Sequence, residues 1–174
     1  MACDITDGRV LPCKDTVGGL KNVYFINYDT THTFTEAADD TVAHSAFTGI
    51  TAYQYALKGT SSLTQNITSS RENGTTFFEQ VLELTLPKLS SADNKEIKLL
   101  AFGRPRIVIE DYNGNYFLVG REHGSDVTGG TIVTGAAMGD LSGYTLTFTG
   151  MEKKPSNFIT GDWISEATID DGSS

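Results

Sequence analysis

Basic residues are scarce in this chain, and sulfur is scarcer. Lys and Arg total 13 against 22 Asp and Glu, a formal charge of −9. That charge repels phosphate and excludes a basic nucleic-acid binder. Two cysteines, Cys3 and Cys13, cannot staple 174 residues, which excludes a disulfide-dense miniprotein. The three histidines, His32, His44 and His123, are scattered without metal-ligand spacing. No apolar run approaches the roughly 20 residues of a membrane helix. The opening MACDITDGRVLPCKD has no basic stretch followed by an apolar one, so no targeting segment is read there. Folding in a cytoplasm, with reduced thiols, is the expectation. What the chain has in quantity is 23 Thr, 18 Gly and 10% aromatics, a composition that leans towards sheet. The length suits one domain with one core.

Motifs of catalysis are missing too. No G-x-S-x-G elbow and no phosphate-binding G-x-x-x-x-G-K-[ST] loop occurs. Gly18-Gly19 and Gly129-Gly130 read as turn glycines. The carboxylate pairs Asp39-Asp40, Glu110-Asp111 and Asp170-Asp171 could serve a glycosidase in principle, but each also reads as solvated loop acid. Asn66-Ile-Thr68 and Asn73-Gly-Thr75 match the glycosylation triplet by chance in a Thr-rich chain. Trp163, with Tyr53, Tyr55 and Tyr116, could stack sugars or fill a core or an interface. The reading is a non-enzyme with no cofactor and no metal.

The periodicity predicts a mainly β, antiparallel sandwich or barrel. Residues 1–21 form an N-terminal arm, 22–169 one β domain, and 170–174 an acidic tail. The first strand is Asn22 to Tyr28, with large groups on both faces and hence cover on both sides. Residues 29–41 make a long acidic loop, and Ile50 to Leu57 a second strand. A long hairpin spans about 61–86 around Asn73-Gly74. On its second strand Phe78, Leu82, Leu84 and Leu86 share one face with Gln80. Phe77, Glu79, Val81, Glu83 and Thr85 share the other. An arm of 12 residues, about 40 Å long, needs a sheet or a partner to pack on. Ser90 or Ser91 caps one helix over about 91–102, ended by Gly103 and Pro105, with Lys95, Glu96 and Lys98 outward. A second hairpin turns at Asn113-Gly114. Residues 123–142 read as a Gly-rich loop with at most a short strand near 131–134. Gly143 to Gly150 alternates Tyr144, Leu146 and Phe148 against three threonines, and Asp162 to Ile169 reads as a last strand.

That order of elements resembles the tail tube family of tailed bacteriophages. The passages carrying the resemblance are residues 61–86 (SSLTQNITSSRENGTTFFEQVLELTL), the helix with Gly103-Arg104-Pro105, and residues 139–155 (GDLSGYTLTFTGMEKKP). The N-terminal Met-Ala-Cys with residues 18–28 (GGLKNVYFINY) has the same flavour. The resemblance implies a virion structural protein whose copies form hexameric rings, stacked into a hollow tube through which DNA passes. It implies assembly in the host bacterial cytoplasm, other virion proteins as partners, and no membrane. An acidic bore suits that role, because it lets a polyanion slide without capture. Glu79 and Glu83 are the candidates to line it, and their face equally suits a solvent-facing sheet side. Phe77, Val81, Asp39, Asp40, Tyr24 and Trp163 are candidates for subunit interfaces. The arm and the 29–41 loop are expected to need a neighbour for their order and to make contacts between rings. A capsid decoration, head-fibre or tail-completion protein, or a carbohydrate-binding β-sandwich, are the alternatives.

Overall fold

The computed structural model describes residues 3–58 and 60–173. From Val23 to Ile26 in β1 (Leu20–Ile26), and from Arg106 to Glu110 in β6 (Arg106–Asp111), every residue is buried. Strands of that kind must lie between two covering layers. They pair antiparallel in the middle of a seven-stranded sheet. Its other members are β2 (Val42–Ala43), β3 (Thr51–Ala56), β7 (Tyr116–Val119), β10 (Asn157–Thr160) and β11 (Thr168–Asp170). The order is β11-β3-β1-β6-β7-β10-β2. The short outer pairs β11–β3 and β10–β2 are parallel, and the rest antiparallel.

The second sheet has four strands, all antiparallel, in the order β4-β5-β9-β8. These are β4 (Ser62–Ser70), β5 (Thr75–Pro87), β8 (Asp126–Val133) and β9 (Gly143–Glu152). Leu82, Leu84, Leu86, Leu146 and Phe148 from this sheet meet Val23, Phe25, Ile107 and Ile109 from the larger one. Helix α1 (Ser91–Phe102) closes the same core with Ile97. The Ser90 hydroxyl oxygen accepts from the Asp93 amide at 3.0 Å, which makes it, of the two serines that the sequence offers, the N-cap. The opposite face of the larger sheet carries a second core. There Tyr24, Val108 and Leu118 take Phe34, Phe47 from a 3-10 turn (His44–Phe47), and Trp163. Trp163 stands edge-on to Tyr24 at 4.9 Å between ring centres and 5.0 Å from Phe47. The architecture is thus a mainly β sandwich with one flanking helix of three turns, as the periodicity predicts.

Several elements differ from expectation. The 123–142 segment holds an eight-residue strand, β8, where a loop is expected. Its glycines mislead because one of them is packing glycine: a Cβ on Gly130, at φ +154°, would come within 2.4 Å of the Thr145 carbonyl. The terminal strand expected over 162–169 is a helical turn, α2 (Trp163–Glu166), followed by β11. Burying Trp163 in the second core overrides its local strand propensity. The first strand starts at Leu20 and ends at Ile26, two residues earlier than predicted. The short strands β2 and β10 carry too few residues for any period to register.

The loop of residues 29–41 does not wait for a neighbour. Phe34 is buried in the second core, and Glu36 bridges to Val42. Tyr24 and Trp163 are also corrected: at 2% and 0% exposure they are interior residues of this chain and offer no face to a partner. The Trp163 substitution Trp163→Ala should cost about 3–5 kcal/mol of stability, against about 1 kcal/mol for Ser90→Ala at the cap. Urea unfolding of both variants checks the ranking.

Candidate assembly surface

Residues opposite one another in an antiparallel pair project to the same side. On β5 the register sets Glu79, Val81 and Glu83 against Asn66, Thr64 and Ser62 on one flank. On the other flank it sets them against Met151, Thr149 and Thr147 of β9. Across β9, Asp126 of β8 faces Thr149, and Thr131 faces Thr145. The hydroxyls of Thr128 and Thr149 lie 2.9 Å apart, and those of Thr131 and Thr145 are also bonded. One side of the four-stranded sheet is therefore a continuous field of hydroxyls and amides. Its ionised groups are Glu79, Glu83 and Asp126, and none of the four strands contains a Lys or an Arg. Phe77 and Val81, both half-buried, interrupt the field as the only large apolar groups of β5 on that side. The structure thus brings Phe77, Glu79, Val81 and Glu83 onto a single face.

Both edges of this sheet are unpaired among the described residues. The nine residues of β4 carry no charge and no proline. On β8 the sole charge is Asp126, and a register shift falls between Val127 and Gly129. Edge strands are normally guarded by lysine, proline or strong bulges. Beyond Phe78 the hairpin outruns β9, whose last partner there is Glu152. Residues 68–77 extend past β9, and Ile67, opposite Phe78 at their base, is 69% exposed.

The inward side of the same sheet holds two polar clamps. Gln80, nearly fully buried, accepts from the Gly120 amide at 3.0 Å and donates to the Lys154 carbonyl at 3.4 Å. The buried Glu152 carboxylate accepts from the amides of Glu122 and His123 at 3.1 and 2.9 Å. These bonds hold the turn after β7 against the end of β9. Glu122, His123 and Glu152 bring their ligating atoms within 4.8 Å of one another. Two backbone amides and Arg121 already engage those carboxylates, which makes the group a turn clamp. The buried Gln80 and Glu152 are groups that alternation alone places inside, without a reason for being polar; their partners come from a distant turn that no sequence pattern announces.

The remaining candidates have local work. Asp39 accepts from the hydroxyl and amide of Thr41, and these bonds hold its carboxyl below the ordinary aspartate range. Asp40 and Glu36 both grip Lys154, at 2.9 and 2.6 Å. Asn157 and Arg121 complete that knot. Of the acid pairs, Glu110 turns inward to Lys21 and Asn22, whereas Asp111 caps the turn at Asn113 and Asn115. Tyr53 and Tyr55 pair with Phe25 and Val23 and so face the first core, on the side of the large sheet opposite Trp163. The aromatic platform that a sugar would need is therefore split between two layers.

No helix among the described residues is long and apolar enough to cross a membrane. Searches against family models, curated proteins and solved structures returned no significant match.

The Lys154 knot sets a pH dependence. Bonds to Glu36 and Asp40 raise the Lys154 pKa above the ordinary 10.5. A raised lysine pKa stabilises the fold fully below the unfolded value, and that gain is lost as pH rises through the folded one. The melting temperature of Lys154→Met should therefore fall below that of the parent at neutral pH. The gap should close as pH climbs beyond 10.5, which parallel melts across that range check.

Proposed function

We propose that this chain is a tail tube subunit of a tailed bacteriophage, a virion protein whose copies close into hexameric rings that stack around a bore for genomic DNA. One observation carries the reading: a four-stranded sheet with two unguarded edges and a wet face whose only ionised groups are acids. The physical argument runs through symmetry. With four alternating strands, β4 and β8 run antiparallel to each other. Copies related by rotation then bring β8 of one to β4 of the next in unbroken antiparallel order, a heterologous contact that closes as a ring. Edge groups that are a liability in a monomer become the joint.

Six copies would set about 24 strands round the ring, and barrels of that count leave an open channel. Glu79, Glu83 and Asp126 then recur from every copy on the bore. With no lysine or arginine beside them, they repel phosphate and release no counterions to it, so DNA passes without being held. Phe77 near the hairpin tip, and Val81 farther along the same face between Glu79 and Glu83, suit contact with a neighbouring copy. No cofactor, metal or membrane enters this role. A capsid decoration or other lattice-bound virion part would use the same acidic β surface without polymerising alone, and a carbohydrate-binding module would need the aromatic platform that is split here.

The test is negative-stain microscopy of the concentrated protein with its mass measured alongside. Rings or tubes are the expected result; a strict monomer at high concentration contradicts the proposal. A lysine placed on either edge, Ile67→Lys or Ile132→Lys, should abolish rings while circular dichroism stays that of the parent. Charge reversal by Glu79→Lys with Glu83→Lys should leave rings intact yet make them retain duplex DNA, with retention lost as salt rises. A gel shift on the assembled particles reads that change.

A further inference from the structure

Two hairpins of this chain turn on the dipeptide Asn-Gly, Asn73-Gly74 after β4 and Asn113-Gly114 after β6. All four residues are exposed, and the glycines lie in the left-handed region, at φ +63° and +82°. The dipeptide has a chemistry of its own. Glycine has no side chain to screen its amide nitrogen, and the carboxamide of the preceding asparagine can swing onto that nitrogen. The two turns differ in how firmly that carboxamide is held.

Asn113 is held at both ends. Its Nδ2 donates to the Val17 carbonyl at 2.8 Å, and its Oδ1 accepts from the Val17 amide at 3.0 Å. The Gly114 amide donates to the Asp111 carbonyl at 3.3 Å. Asp111 Oδ1 accepts from the amides of Asn113 and Asn115 at 3.0 and 2.8 Å. The strands joined by this turn, β6 and β7, lie inside the seven-stranded sheet. The carboxamide reaches Gly114 only by leaving Val17, and the Gly114 nitrogen is itself engaged.

Asn73 lacks that restraint. Its amide donates to the Ser70 hydroxyl at 3.3 Å, and its carboxamide has no hydrogen-bond partner among the described residues. Every residue from Arg71 to Thr76 is exposed. The β4–β5 pair runs past its last β9 partner, where Glu152 faces Phe78, so the tip is a ribbon of two strands. Such a ribbon is marginal in water and opens locally at little cost.

We propose that Asn73 is a site of spontaneous covalent modification, deamidation through a cyclic imide, and that the fold spares Asn113 the same reaction. The Gly74 nitrogen gives its proton to hydroxide and attacks Asn73 Cγ. The N–Cγ bond forms and the Cγ–Nδ2 bond breaks. The nitrogen leaves as ammonia, taking a proton from water and so returning the hydroxide. Water then opens the ring. Cleavage of the new N–Cγ bond gives aspartate; cleavage of the original peptide bond gives isoaspartate, whose main chain runs through Cβ and Cγ. One water enters and one ammonia leaves, with no oxidant or reductant. Either product adds a carboxylate beside Glu72 and takes the formal charge one unit beyond −9. Isoaspartate also inserts an extra main-chain atom into the loop between Ser70 and Thr75. At Asn113 the same change would set a carboxylate oxygen against the Val17 carbonyl, so sparing it preserves the tie on the N-terminal arm.

The test incubates the full-length protein in mildly alkaline buffer, folded and in parallel unfolded in urea, with circular dichroism to confirm each state. Tryptic digestion at intervals separates the sites, because cleavage at Arg71 and Lys88 releases Asn73 and cleavage at Arg106 and Arg121 releases Asn113. Fragmentation mass spectrometry then reads amide-to-acid conversion at each residue. In urea the dipeptide alone governs the reaction, and both sites should convert at similar rates. In the folded chain Asn73 should convert about tenfold or more faster than Asn113, and faster still as pH rises. Asn73→Gln, whose longer side chain closes the ring poorly, should silence the first peptide and leave Asn113 as slow as in the parent. Asn113 keeping pace with Asn73 in the folded chain overturns the inference. So does Asn73 remaining intact there, whether or not it converts in urea.

Discussion

The four-stranded sheet is apolar on one side only, and most of the structure follows from that constraint. Its leucines and Phe148 must leave water, and the larger sheet supplies the cover. That sheet in turn has apolar residues on both faces of β1 and β6, so a second core must form behind it. The 29–47 region and α2 provide that cover. One side of the molecule is then layered and closed, while the threonine-rich side remains wet, with both strand edges unpaired among the described residues. A sheet in that state is unfinished in the sense that counts for assembly: its interior is satisfied and its edge hydrogen bonds are not.

Charge works on a separate level. The net −9 is not spread evenly over the elements. Several cations of the body form knots that hold loops, as Lys154 does with Glu36 and Asp40, or stack on aromatic rings, as Arg104 does over Tyr28. None lies within the four strands of the smaller sheet, where Glu79, Glu83 and Asp126 have no partner of opposite sign on their own strands. Stability and the proposed conduit thus draw on different charges, and the acids of the wet face are available to act on something outside the chain.

Much of this was legible in the residues. The alternation in 75–86 correctly separates the core face of β5 from its wet face, the serines at 90 and 91 with Gly103 bracket α1, and Asn73-Gly74 marks the hairpin. The double cover of β1 follows from large groups on both of its sides. What escaped has a common cause, which is contact between distant segments. β8 looks like a loop because its glycine serves the approach of β9. Trp163 and Tyr24 look available for an interface until the second core claims them. Asp40 looks like solvated acid until Lys154 arrives from 114 residues away.

The central claim is that free edges of one copy are completed by another. Amide hydrogen exchange along a concentration series tests it most directly. The account predicts that the outward amides of β4 and β8 exchange freely in dilute protein and become protected together as the concentration rises, while the interior strands β5 and β9 stay protected throughout. Edge amides that remain fast at every concentration, in a chain that is otherwise folded, would contradict it.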